Sequence, residues 1–147
     1  GETDAEFDET YRFCNNIQFA AMHIFNYSPR PGTSATKMSG RVNEKMKKER
    51  SLRMLKLAAD SADRFALRFI GRTKNVLWEN EVRPGSGVYS GLTDNYLRAY
   101  ARSSTDLSNI MTEAKLIKLA GDMPKTMLKL STKGNHGEIW SEIDSED

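Results

Sequence analysis

The stretch from His23 to Ala35 reads His-Ile-Phe-Asn-Tyr-Ser-Pro-Arg-Pro-Gly-Thr-Ser-Ala, and its two halves predict different structures. Residues 19–27 are largely apolar on both faces, which is typical of a buried parallel strand. Pro29 and Pro31 then remove two backbone donors and favour extended neighbours, while Gly32 permits a turn. The sequence therefore predicts a strand followed directly by a stiff loop.

Polar side chains on this loop are candidates for a binding site. In α/β folds with parallel strands, ligands bind to the loops at the carboxyl ends of the strands. A rigid connector without a binding role is the alternative, because loops of this composition are common. The candidate residues are Tyr27, Ser28, Arg30 and Thr33.

A helix is predicted before the strand, from Asp4 to about Ile17. Thr3 and Glu6 have the spacing of a capping box, in which each side chain binds the backbone donor of the other residue. Apolar residues then recur at helical spacing. A helix followed by a buried strand resembles one unit of an α/β barrel, and one such unit cannot close a barrel alone.

A long helix is expected from about Glu44 to Phe69, with Asn43 as N-cap and Gly71 as the residue that ends it. The apolar positions of the helix predict one continuous buried seam. That seam could be intramolecular core or could pair with a second copy of the chain. Its residues are Leu52, Leu55, Ala59, Ala62, Ala66 and Phe69.

Positive charge is concentrated in the middle of the chain. Residues 41–74 hold eleven Lys or Arg against four acids, although the net charge of all 147 residues is only +2. Such a segment would attract the phosphate backbone of a nucleic acid. The alternative is the solvated face of a long helix. Candidate phosphate contacts are Lys47, Lys48, Arg53 and Lys74.

The period changes to that of strands from Thr73 onward. Strands are predicted at 73–82, 88–91, 96–102, 110–119 and 125–130, separated by turn residues. Five short strands in so few residues predict a small closed or half-open β-barrel similar to an OB fold. Residues 131–147 contain five acids from Glu138 onward, and we expect a tail that is mobile or covers a barrel edge, with room for a short docked strand at 139–143.

One predicted strand carries an alternating row, Tyr96, Arg98, Tyr100 and Arg102, whose side chains would project from one face. Base stacking on tyrosine and phosphate contact with arginine would require such a row. The alternative is a solvent face on which aromatic residues help to pair the strands.

Three motifs together resemble the radical S-adenosylmethionine tRNA methylthiotransferases. His-x-Phe-x-Tyr-Ser-x-Arg-x-Gly-Thr-x-Ala at 23–35 resembles the last barrel strand and loop of that family, Gly-Glu-Thr-Asp at 1–4 the end of an earlier segment, and Gly-Leu-Thr-Asp-Asn-Tyr at 91–96 its RNA-binding TRAM module. The enzymes that modify threonylcarbamoyladenosine beside the tRNA anticodon are the most similar branch. Asn26 departs from the pattern, since the family usually has proline there.

The resemblance implies an α+β fold with three parts. Residues 1–70 would be a C-terminal remnant of the radical enzyme barrel, 71–130 a TRAM-like β-barrel, and 131–147 an acidic tail. The parent enzyme would be cytoplasmic and would use S-adenosylmethionine and two 4Fe-4S clusters. The loop from Tyr27 to Thr33 would lie near cofactor or target nucleotide, and the partners would be tRNA and the missing N-terminal domains.

The cysteine content limits what this chain can do by itself. Iron–sulfur clusters need several thiolate ligands, and Cys14 is the one cysteine in the sequence. We therefore expect no catalytic residue, metal or cofactor site in this chain. We also expect no membrane span, because no apolar run is long enough. Its predicted activity is tRNA binding, and the alternative is a protein-interaction module that dimerises without binding RNA. A standalone enzyme is the weakest hypothesis, because no nucleophile–base set is present.

Overall fold

The computed structural model describes residues 1–122 and 137–143, which contain two α-helices and five strands. The helices are α1 (Asp4–Ile17) and α2 (Glu44–Leu67), and the strands are β1 (Thr73–Glu81), β2 (Val88–Thr93), β3 (Arg98–Arg102), β4 (Met111–Leu119) and β5 (Ile139–Glu142). Short 3-10 helices span Ser34–Lys37 and Ala120–Asp122. The chain divides into two compact units, Gly1–Ser61 and Ala62–Asp147. The α+β class is confirmed.

Helix α1 begins and ends as its sequence predicts. The Thr3 hydroxyl accepts from the Glu6 backbone N–H at 3.3 Å, and the Glu6 carboxylate accepts from the Thr3 N–H at 2.7 Å. These reciprocal bonds satisfy two donors that a helix N-terminus leaves open. Gln18 closes the helix with a left-handed backbone at φ 57°.

The strand predicted at Phe19–Tyr27 is wrong. Residues 19–30 form no helix or strand, because the described part of the first unit offers no neighbouring strand with which they could pair. Met22 and Ile24 instead pack against Phe7 and Leu57, in a cluster that joins α1 to α2. The Phe19 carbonyl accepts a hydrogen bond from the Ser61 hydroxyl at 2.6 Å.

Helix α2 buries a different stripe from the predicted seam over its first part. Leu52 and Leu55 are exposed, whereas Met54 and Leu57 are buried. Arg50 and Ser61 continue this buried stripe at helical spacing, and both are polar, so hydrophobic periodicity alone misses it. Both have polar partners: the terminal nitrogens of Arg50 bind the carboxylates of Glu2 and Asp4 at 2.7 Å, and the Ser61 hydroxyl donates to a carbonyl.

The ends of α2 follow the predicted signals closely. The Asn43 side chain accepts from the Met46 N–H at 2.8 Å, as expected of an N-cap. At the other end the α-helix stops at Leu67, and tighter turns lead to Gly71, whose φ is 82°. Ala66, near the end of α2, is fully buried and packs in the second unit against Leu97 and Leu116.

The five strands close into a barrel in the order β1-β2-β3-β5-β4. All neighbours are antiparallel except β3 and β5, which run parallel with Ala99 opposite Ile139. Trp78 and Leu116 are fully buried in the barrel. The predicted five-stranded barrel is therefore confirmed.

The closing strand of the barrel differs from the one predicted. Residues 125–130, expected to form the fifth strand, lie outside the described residues. The barrel is closed by β5, where only a short docked strand was expected. Ile139 and Trp140 are buried there, so two apolar side chains stabilise this strand although the sequence around it is acidic.

Candidate nucleic-acid interface

The predicted Tyr-Arg row on β3 does not form a continuous exposed face. Tyr96 precedes the strand, so the strand predicted from Tyr96 begins at Arg98. Arg102 is exposed, but Tyr100, which lies between the two arginines, is only 8% exposed. The prediction that all four side chains of the row are exposed on one face is therefore wrong, because Tyr100 is buried.

Tyr100 is covered by residues from several elements. It packs with Val88, Ala120 and Trp140. Its hydroxyl donates to Glu138 Oε2 at 3.0 Å. Burial raises the pKa of Tyr100 and that of the Glu138 carboxyl, because the charged form of each loses hydration. In this arrangement the Tyr100 ring is part of the barrel packing.

The two arginines of the row differ in their partners. Arg98 forms an ion pair with Glu79, and its side chain is one-third exposed. Arg102 donates weakly to the Ser86 carbonyl at 3.4 Å and otherwise faces solvent. Arg98 would have to leave its carboxylate partner to contact a phosphate, whereas Arg102 already projects outward.

Tyr96 lies at the tip of the turn between β2 and β3 and is 84% exposed. Its backbone is left-handed at φ 62°, a conformation that bulky residues rarely adopt. The turn is fixed by buried Thr93, whose hydroxyl accepts from the Leu97 N–H at 2.9 Å and whose carbonyl accepts from the Tyr96 N–H at 3.0 Å. An exposed aromatic ring is thereby held on a well-anchored turn.

Positive side chains gather beside this turn. Lys74 Nζ lies 2.9 Å from an Asp94 carboxylate oxygen and 5.5 Å from the centre of the Phe69 ring. The Arg72 guanidinium lies 5.7 Å from the same ring. The Lys74 ammonium lowers the pKa of Asp94 by hydrogen bonding to its charged form. We call Phe69, Arg72, Lys74, Asp94 and Tyr96 the rim cluster.

Sequence reasoning identified Tyr96 and Lys74 but missed the other members of the rim cluster. Arg72 and Lys74 are two residues apart at the start of a strand and follow an aromatic residue, which is a usable signal. The role of Asp94 carries no such signal, because its pairing with Lys74 depends on how β1 and the β2–β3 turn meet.

The basic half of α2 is largely neutralised by ion pairs within the first unit. Arg53 binds Asp8 at 2.9 Å and lies over the rings of Phe7 and Tyr11. Lys47 binds Glu44 at 2.7 Å, and its side chain is only 14% exposed. Lys48 is exposed and has no ion pair among the described residues. Much of the predicted positive surface is therefore internally balanced.

The loop after residue 26 contributes Tyr27 to a cavity of about 590 Å³ in the first unit. Lys47 Nζ lies 5.7 Å from the centre of the Tyr27 ring and also lines this cavity. Arg30 and Thr33 form a local turn instead, in which the Thr33 hydroxyl donates to the Arg30 carbonyl at 2.9 Å. Ser28 is exposed. The four loop candidates thus do not converge on one point.

The described residues do not contain the ligands of a metal cluster. Cys14 is a free, half-buried thiol on α1, and no group of three His, Cys, Asp or Glu converges within residues 1–122 and 137–143. A cluster that needs three thiolates does not fit a chain with one cysteine. In the same part of the chain, no helix is long and apolar enough to cross a membrane.

Comparison with known proteins finds clear relatives. The chain is 42% identical over 98 residues to a threonylcarbamoyladenosine tRNA methylthiotransferase of Thermotoga maritima, covering 67% of this chain and 22% of that protein. It is 31% identical over 120 residues to a Bacillus subtilis protein of the same name, covering 80% and 27%. No family model matches the chain.

A third relative extends the similarity to almost the whole chain. A tRNA-2-methylthio-N(6)-dimethylallyladenosine synthase of Geobacillus kaustophilus is 29% identical over 145 residues, which is 95% of this chain and 27% of the relative. The chain therefore spans about a quarter of the length of the curated relatives it matches.

Proposed function

Because this chain belongs to the tRNA methylthiotransferase family, we propose that it is the C-terminal part of an enzyme that adds a methylthio group to a modified adenosine in tRNA. Two of the relatives are named for threonylcarbamoyladenosine, which favours that nucleoside beside the anticodon as the target. The parent enzyme would act in the cytoplasm.

The part that this chain plays in the enzyme is to hold tRNA. The closed barrel corresponds by our proposal to the TRAM module of the family, and the rim cluster is the observation that carries the assignment. It combines an exposed aromatic ring on a rigid turn with cations at the start of β1, and small β-barrels bind nucleic acid through aromatic and basic side chains of this kind. Exposed Lys48 on α2 and Arg102 on β3 would add phosphate contacts.

The reaction itself would depend on other parts of a longer protein. With Cys14 as its one cysteine, this chain would not hold the 4Fe-4S clusters on which the family's radical S-adenosylmethionine chemistry depends. By the family resemblance, the loop from Tyr27 would contribute to the mouth of the catalytic barrel. We expect the isolated chain to bind tRNA and to leave it unmodified.

A salt titration of tRNA binding tests this proposal. Affinity should fall steeply as salt rises, because bound cations release condensed counterions from the phosphates. Lys48→Ala should weaken binding and reduce the salt slope, whereas Arg12→Ala, which removes an exposed cation on α1, provides a control of equal charge. The absence of tRNA binding at low salt would contradict the proposed function.

Self-association is the second candidate function, and the surface of the first unit favours it. Phe25 is 86% exposed, Met38 64% and Phe13 60%, which leaves large apolar side chains in solvent. Burial of such side chains against a second copy would be favourable. Sedimentation equilibrium over a range of concentrations distinguishes the two functions, since a monomer that binds tRNA excludes a dimerisation module.

A further inference from the structure

We propose that the rim cluster binds an unpaired nucleotide, with the base stacked on Tyr96 and the adjoining phosphate on Lys74, and that Asp94 competes with this phosphate for the lysine. The inference rests on the proposed function and makes it more specific. It moves the contact surface from the β3 face to the end of the barrel, and it names both the feature of RNA that is recognised and a residue that opposes binding.

Tyr96 presents a solvated ring on a rigid turn. Its ring is 84% exposed, yet the turn that carries it is anchored by buried Thr93 and Leu97. The hydrogen bonds of Thr93 hold the backbone in place, so the ring is presented without the loss of freedom that a mobile loop would incur on binding. A preorganised, solvated aromatic face is what a base needs for stacking.

Lys74 lies where a phosphate could replace its present partner. Its ammonium lies between the Asp94 carboxylate at 2.9 Å and 3.2 Å and the Phe69 ring at 5.5 Å. The side chain is only 23% exposed, so part of its desolvation has already occurred. Asp94 is 64% exposed and can move aside into solvent. An incoming phosphate would replace one anion with another at the same ammonium.

Tyr96 and Lys74 are connected through Asp94. Asp94 precedes Tyr96 by two residues in the turn, and Leu97 packs in the same cluster as Phe69. The turn that carries the aromatic ring is therefore joined to Lys74 of β1 by an ion pair and to the segment just before β1 by packing. Arg72 lies over the same Phe69 ring and offers a second cation.

The chemistry of the ligand follows from this arrangement. A base within a duplex has both faces covered by its neighbours, so Tyr96 could stack only on an unpaired or extruded base. The nearby cations require a phosphate next to that base. The site therefore selects single-stranded RNA, or the loop of a folded RNA, over a continuous duplex.

Fluorescence anisotropy of the 147-residue chain with a labelled single strand of about eight nucleotides, and with the matching duplex, tests the inference. The single strand should bind more tightly than the duplex. Tyr96→Ala should weaken single-strand binding by about fivefold or more, the lower end of base–aromatic stacking, while Tyr96→Phe should bind like the wild type. Arg83→Ala removes an exposed cation in the turn between β1 and β2, at the other end of β1 from Lys74, and should leave the preference for single strands intact.

Asp94→Asn gives the sharpest test, because the expected effect is a gain. Freed from its partner, Lys74 should strengthen binding by about two- to fivefold, the range of an exposed ion pair. The salt slope should steepen by up to roughly 0.7, the value for one phosphate contact on a single strand, because the carboxylate that opposes the contact between Lys74 and the phosphate is gone. The double variant Asp94→Asn, Lys74→Ala should lose that gain.

The outcomes separate the inference from the proposed function. If the wild type binds RNA but Tyr96→Ala and Asp94→Asn do not change the affinity, the inference is wrong and the RNA-binding function stands. Equal affinity for the single strand and the duplex would also overturn the inference. If the wild type binds no RNA at low salt, both fail.

Discussion

Replacing Gly91 by alanine should destabilise the barrel strongly. Gly91 lies in β2 between Trp78 of β1 and Ala99 of β3, with strands paired on both sides. A Cβ atom there would lie 2.5 Å from the Leu77 carbonyl oxygen and 2.8 Å from Val76 Cγ1. Neither approach is sterically possible without movement, and the carbonyl belongs to the β1 backbone. Relief therefore requires β1 and β2 to move apart.

The magnitude follows from this geometry. Overpacking typically costs about 1–3 kcal/mol, and a collision with backbone places Gly91→Ala at the upper end of that range. For a unit of this size, a loss of about 3 kcal/mol lowers Tm by roughly 12–24 °C. Urea unfolding measures the change by fluorescence, since both tryptophans, Trp78 and Trp140, belong to the barrel unit.

Gly121→Ala is the matched control for this measurement. Nothing lies within 4 Å of a Cβ atom built at Gly121. The same substitution there should be neutral or stabilising by up to about 1 kcal/mol, because alanine lowers the entropy of the unfolded chain. A Gly91→Ala protein that unfolds at the urea concentration of the wild type would refute the steric argument.

Three further changes test other parts of the structure. Leu57→Ala should destabilise the first unit by about 2–5 kcal/mol, since Leu57 is buried, while Leu52→Ala should change stability by less than about 0.5 kcal/mol; far-UV circular dichroism during unfolding compares them. Burial raises the pKa of Glu138 above 4.5, so the folded barrel binds this proton more tightly than the unfolded chain does. The free energy of unfolding should therefore fall as pH rises from the unfolded pKa of Glu138 through its higher folded pKa. Glu138→Gln should flatten the profile of urea unfolding against pH. Hydrogen bonds from Thr3 lower the pKa of Glu6, so the N-terminal cap of α1 should weaken as pH falls through the folded pKa of Glu6. Circular dichroism should show this acid-dependent loss of helicity in the wild type and not in Thr3→Ala.

Local features of the fold could be predicted from the sequence because their causes are local. The Thr3–Glu6 capping box and the Asn43 N-cap set the starts of both helices, and each acts over three residues. Strand periodicity and turn residues likewise located β1 to β4 within a few positions. The barrel was predictable because a small sheet that closes on itself buries one face of each short strand and leaves no unpaired edge.

Features that depend on distant partners could not be predicted in the same way. Residues 19–27 have the composition of a buried strand, but a strand exists only where a neighbour completes its hydrogen bonds. Tyr96 and Tyr100 are both tyrosines and lie an even number of residues apart, so the sequence alone predicts the same exposure for both. Only Tyr100 is buried, by Trp140 and Glu138, which lie some forty positions away in the sequence. For the candidate site, residue types predicted an aromatic ring and a lysine, while the opposing carboxylate of Asp94 required the tertiary structure.

The parallel pairing of β5 with β3 bears on how the barrel folds. The hairpins β1–β2 and β2–β3 join residues that are close in sequence, whereas the Ser141 hydroxyl reaches the Tyr100 carbonyl across 41 positions. Forming that contact costs loop-closure entropy, and this cost is offset only when the other strands are already paired. We therefore expect β5 to join last and to limit the refolding rate. We expect β5 amides to exchange with deuterium before those of β1 and β2, because the last element to join is held by a single short ladder on each side.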